Sequence, residues 1–83
     1  MAAKIHSQFN SIQMKNIESH KKAASHLEEA AKHHHEAAKH HEAGNHEKGH
    51  HSTIKAHGHT ALAKEAQNDL LKNHTVADKA AAN

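Results

Sequence analysis

The chain has 83 residues, among them 14 His, 11 Lys and 9 acidic residues, with one Phe and no Cys, Pro, Trp or Tyr. Without Cys there can be no disulfide framework and no thiolate metal site; no stretch approaches the roughly 20 apolar residues of a membrane span; and the length suits one domain, residues 1–83. Formal charge is +2 with the histidines neutral, but side chains with an unperturbed pKa of about 6.5 can add several positive charges as pH falls below neutrality.

The N-terminal Met-Ala-Ala-Lys-Ile-His-Ser has no continuous apolar run, so a cytoplasmic protein without a secretory signal is expected. Residues 21–41 then divide into three heptads, KKAASHL, EEAAKHH and HEAAKHH. A seven-residue period spans two helical turns, and Ala, Glu and Lys are good helix formers. With no Gly or Pro between residues 4 and 43, one helix of about that extent is predicted.

On a helical wheel one stripe collects Ala23, Ala24, Leu27, Ala30, Ala31, Ala37 and Ala38. His20, His34 and His41 fall near its middle. His26, His33 and His40 run along one flank, and Glu28, His35 and Glu42 along the other. Projected backward, the stripe meets Ile5, Phe9 and Ile12.

Ala43-Gly44-Asn45 reads as a helix stop followed at once by a start. Gly44 suits the left-handed residue that ends a helix, Asn45 is a good N-cap, and Glu47 in the next first turn favours the helix dipole. A turn of residues 44–45 implies an antiparallel helical hairpin.

The second helix should run from about 46 to 72. His50, Ile54, His57 and Ala61 form one side; His51, Gly58, Leu62, Ala66 and Leu70 form another. Gly49 and Gly58 each weaken it by about 1 kcal/mol relative to Ala. Asn73-His74-Thr75 either breaks the helix, with Thr75 and Asp78 capping a short helix over 75–82, or the helix continues to about residue 81.

The fold expected is all-α, an antiparallel hairpin of two long helices. Its register sets His41 near residues 47–51, His34 near 54–57 and Leu27 near Leu62, with Ile5, Phe9 and Ile12 facing Leu70, Leu71 and Val76. A domain this small buries only about 60% of its unfolded surface, and Ala contributes little to a core. Pairing of two hairpins into a four-helix bundle, as a homodimer, or bound metal is therefore expected.

The histidines carry the functional expectation. Neutral imidazole is a common ligand for Zn, Cu, Ni and Co. His46 and His50, four apart, project onto one face. Residues seven apart are separated by about 10 Å along the axis, so His34 and His41 cannot share an ion from one helix. Each needs partners on the other: His50 or His51 for His41, and His57 for His34. His33 and His40 can serve flank or chain-to-chain sites. Glu29, Glu36, Glu42 and Glu47 each precede a His by four and can ligate or orient an imidazole. Such a pair on an open surface is worth only a few tenths of a kcal/mol. The candidate metal ligands are His33, His34, His40, His41, His46, His50, His51, His57 and Glu47. His6, His26, His59 and His74 are expected to be solvated.

Binding of several divalent transition-metal ions, as a buffer, store or carrier, is the expected function. The alternative is a self-associating helical protein that responds to pH, with protonated imidazoles forcing the helices apart. No His-Glu-x-x-His metalloprotease motif is recognised and no nucleophile–base–acid triad stands out, so no enzyme is expected. Eleven Lys, no Arg and one aromatic residue make a poor nucleic-acid footprint.

The stretch EEAAKHHHEAAKHHEAGNHEKGHHSTIKAHGHTALAKEA, residues 28–66, resembles small His-rich helical proteins of bacteria, generally of unassigned function. The resemblance implies a helical hairpin and a bacterial setting, with no assayed activity and no ligand set. The AGNHEKG turn also resembles the turn inside a tetratricopeptide repeat, but the aromatic positions of that repeat are absent and only one unit is visible.

Overall fold

A computed structural model describes the backbone of residues 2–82 and the side chains of residues 11–73. Two helices, α1 (Ala2–Glu42) and α2 (His46–Ala82), pack against each other as an antiparallel hairpin, with overall dimensions of 65 × 17 × 12 Å. The described residues include no strand. No helix among them is long and apolar enough to cross a membrane. The backbone of α2 runs without a break through Asn73-His74-Thr75 to Ala82, so the second of the two expected endings is the one observed. The expected packing of Ile5, Phe9 and Val76 and the Thr75–Asp78 cap involve side chains outside the described residues.

The turn is built as its residues dictate. Gly44 has φ of 80°, a conformation open to Gly at little cost. Its amide donates to the His41 carbonyl at 3.0 Å, and the Asn45 amide donates to the His40 carbonyl at 2.8 Å. This pair of bonds closes the last turn of α1 in the Schellman arrangement. Asn45 then caps α2. Its Oδ1 accepts from the Lys48 amide at 3.3 Å, and its carbonyl accepts from the Gly49 amide at 3.1 Å. One residue thus ends one helix and starts the next, which holds the two helix ends close together.

Each helix buries a stripe with alternating three- and four-residue spacing, the pattern of a coiled-coil seam. On α1 it runs Ile12, Asn16, Ser19, Ala23, His26, Ala30, His33, Ala37, His40; on α2 it runs Gly49, Ser52, Ala56, His59, Ala63, Ala66, Leu70, Asn73. The fully buried members are Gly, Ala and Ser, with Ala56 at 0% and Ala63 at 1% exposure. A buried methyl contributes only about 0.8 kcal/mol, against 1.5–3 for a buried Leu or Ile. Small seam residues instead let the helix backbones approach and make dispersion contacts along their length. Asn16 is one of several polar residues in the seam, with His26, His33, His40, His59 and Asn73. The Asn16 Oδ1 is buried with no hydrogen-bond partner among the described residues, an arrangement that costs about 1–3 kcal/mol.

Three expectations about packing are corrected. The stripe centred on Leu27, His34 and His41 lies beside the seam: Leu27 is 45% exposed and His34 is exposed. The column His26, His33 and His40, expected on the flank, is half-buried within the seam. On α2, His50, Ile54, His57 and Ala61 all face outward, with Ile54 at 68% exposure. The reason is geometric: every α1 heptad carries two adjacent alanines, so two neighbouring stripes are equally small, and α2 packs against only one. Leu70 and Leu71 border a shallow recess beside Asn16 and His20, closer to the hairpin bend than the Ile5–Ile12 segment expected to face them.

Candidate metal centre

Midway along the hairpin, α1 places His26, Glu29, His33 and Glu36 along one edge of the seam, and α2 supplies His59. His26 and His33 are seven residues apart and cannot reach a common ion through α1 alone. The His59 ring bridges them, with its centroid 5.3 Å from that of His26 and 5.6 Å from that of His33, stacked on the latter at 14°. The Nδ1 atoms of His26 and His59 are 3.0 Å apart, so one donates a proton to the lone pair of the other. One ligand atom each from Glu29, His33 and His59 lies within 4.8 Å of the other two, and all three residues are half-buried.

Carboxylates set the tautomer of His33. Glu36 Oε2 sits 3.1 Å from His33 Nδ1, close enough for Nδ1–H to donate to it. That hydrogen bond holds the Glu36 carboxyl below its ordinary pKa, helped by the nearby charges of His33, Lys32 and Lys55. With its proton on Nδ1, a neutral His33 turns the Nε2 lone pair toward Glu29 Oε2, 3.8 Å away. A lone pair and a carboxylate so placed can be bridged by a proton on Nε2, by a water that donates to both, or by a cation. Glu36–His33 has the form of the carboxylate–imidazole pairs that orient metal-ligating histidines.

The donor set suits a divalent transition metal. Imidazole nitrogen and carboxylate oxygen bind Zn at about 2.0–2.2 Å, which sets tetrahedral donors about 3.4 Å apart. Glu29, His33 and His59 offer three such donors within 4.8 Å of one another, while His26, hydrogen-bonded to His59, orients that ring from outside the group. The same set is compatible with Cu, Ni and Co.

A second group of rings lies at the turn. His41 Nδ1 is 2.7 Å from His46 Nδ1, with centroids 4.9 Å apart, and the His50 ring is 5.5 Å from His41. His34 and His57 meet edge to face at 6.2 Å. The pairings His41 with His50 and His34 with His57 are those the hairpin register predicts, although both lie beside the seam. His40 is half-buried, and His51 and Glu47 are exposed. Among the described residues, the side chains of these three share no ring contact, hydrogen bond or ion pair with another candidate ligand. Of the four Glu–His pairs with i,i+4 spacing, Glu29–His33 closes to 3.8 Å, whereas Glu36 turns back to His33 instead of reaching forward to His40.

His26 and His59 are thus not free solvated residues: they are half-buried and hydrogen-bonded to each other. The signal for His59 is the alternation of small residues on α2, in which it falls between Ala56 and Ala63. For His26 it is the shared heptad position with His33. Residues 46–50, His-Glu-Lys-Gly-His, do have the His-Glu-x-x-His spacing found on metal-binding helices; this corrects the reading that the motif is missing and removes one ground for expecting no enzyme.

No protein-family model, curated protein or solved structure matches this chain.

Proposed function

We propose that the protein binds divalent transition-metal ions through its histidines, with the mid-hairpin group Glu29, His33 and His59 as the principal site, and that it serves as a buffer, store or carrier rather than as an enzyme. The observation that supports this most is the convergence of ligand atoms from Glu29, His33 and His59 within 4.8 Å, backed by a carboxylate that orients His33. Zn, Cu and Ni all fit the donors; availability in the cell selects among them. Cytoplasmic residence and homodimerisation belong to the same proposal. The dimer is supported by large apolar residues left exposed outside the seam: Met14, Ile17, Leu27, Ile54, Leu62 and Leu71.

Calorimetric titration of Zn²⁺, Cu²⁺ and Ni²⁺ at neutral pH tests the reading. Saturable binding is expected, weakened more than about tenfold by His59→Ala. Equal binding by the parent and His59→Ala chains removes the mid-hairpin site.

A second reading, a pH-responsive self-associating hairpin, is favoured by the His26–His59 and His41–His46 contacts. Each requires a lone pair on one ring and is lost when both rings are protonated. Helix content and molecular mass measured without metal, on either side of the imidazole range, distinguish the two. A metal-independent change in mass supports the second.

A further inference from the structure

We propose that the turn end of the hairpin is a second divalent-cation site, formed by His41, His46 and His50, with a coordination position open to solvent. It extends the metal-binding reading to a centre that shares no ligand with the mid-hairpin group.

The local fold sets the His41 ring against those of His46 and His50; ligation by all three requires side-chain rotation, since among the described residues only Glu29, His33 and His59 have ligand atoms within 4.8 Å of one another. The Asn45 cap starts α2 immediately after α1 ends, so the last turn of α1 lies against the first turn of α2. His46 and His50 are one turn apart on α2, and His41 reaches them from α1. Its Nδ1 lies 2.7 Å from that of His46, and its ring 5.5 Å from that of His50. Gly49 makes this reach possible. A Cβ built at Gly49 would lie 2.5 to 2.8 Å from Nε2, Cε1 and Cδ2 of His41, so the ring occupies the space that any larger residue would fill. A glycine in the first turn costs helix stability; here its buried position gives the imidazole a place to lie.

The chemistry differs from that of the mid-hairpin group. The Nδ1 atoms of His41 and His46 confront each other, and an ion can take the place of the proton between them once the donor ring shifts its proton to its own Nε2, the pair opening to about 3.4 Å as tetrahedral geometry requires. The third donor is also imidazole. His46 and His50 are exposed, so water reaches a fourth position. Three protein ligands plus an exchangeable one is the arrangement of open zinc sites. A cation held this way is accessible to small anions and to other chelators, as delivery or exchange of an ion demands.

The test uses the full chain, Zn²⁺ and Co²⁺, with imidazole proton resonances assigned by NMR. In the His59→Ala variant, which lacks the mid-hairpin site, Zn²⁺ is expected to shift His41, His46 and His50 together at a stoichiometry of one ion. Gly49→Ala keeps every ligand, and its helix content is checked by circular dichroism. It is expected to weaken that ion more than about tenfold while leaving the shifts of His33 and His59 in the parent background unchanged. Azide added to the Co²⁺-loaded His59→Ala chain is expected to change the visible spectrum by displacing water. Absence of binding to His59→Ala, or shifts at only one of the three rings, overturns the turn site and leaves the mid-hairpin reading standing. Zn²⁺ shifts confined to the turn rings in the parent chain overturn the mid-hairpin reading and leave this one. An unchanged affinity in Gly49→Ala overturns the role of Gly49 and the three-ring geometry built on it, and a Co²⁺ spectrum insensitive to azide overturns the open position.

Discussion

Two residues show how single side chains control this hairpin. Gly44 adopts φ of 80°, where an L side chain costs about 1–2 kcal/mol. Gly44→Ala is therefore expected to lower the melting temperature by about 4–8 °C per kcal/mol lost, as for other domains of this size; thermal melts followed at 222 nm check it. Glu36 gives a pH signature. Its folded carboxyl titrates below its ordinary value because His33 donates to it. The stability it contributes is present above the unfolded carboxylate pKa and is lost as pH falls through the lower folded one. Parent and Glu36→Gln proteins should differ in melting temperature near neutrality and converge at acid pH. A constant difference across that range rules the ionised pair out as the cause.

At the scale of the helix, the question is which stripe faces the partner. Ala30 is 4% exposed in the seam, whereas Ala31 is exposed. Ala30→Leu forces extra methylenes between close helices and should cost about 1–3 kcal/mol. Ala31→Leu should change the stability of a single hairpin by no more than about 0.5 kcal/mol. Denaturant melts of the two variants measure the difference, and the reverse order would assign the seam to the Leu27 stripe. The Leu27 stripe was the more legible of the two in the sequence because it contains the heptads' one large aliphatic residue. Hydrophobic weight pointed there, yet close packing in the seam selects residues that are small on both helices.

For the whole molecule, core strength and ion binding are linked. The seam is mostly Ala, Ser and Gly, so a ligand that binds only the folded hairpin has a large proportional effect. At a free ion concentration a hundred times its Kd, a single site adds about 2.7 kcal/mol. Zn²⁺ is accordingly expected to raise the melting temperature in a concentration-dependent way, and a chelator to reverse the rise. The increment should be smaller in His59→Ala. Calorimetric melts over a series of Zn²⁺ concentrations check this, and a melting temperature independent of Zn²⁺ argues for the pH-responsive reading.

The helices, the tight turn and the approximate register follow from local chemistry: Ala, Glu and Lys propensity, a Gly that accepts positive φ, and an Asn that caps. These act within a few residues of themselves, so His41–His50 and His34–His57 could be paired from the sequence alone. The membership of the mid-hairpin group was decided by tertiary packing. The adjacent alanines at 23–24, 30–31 and 37–38 leave the rotation of α1 undetermined to within one residue, about 100°. Only contact with α2 breaks that tie, turning His26 and His33 toward His59 and leaving His34 at the edge.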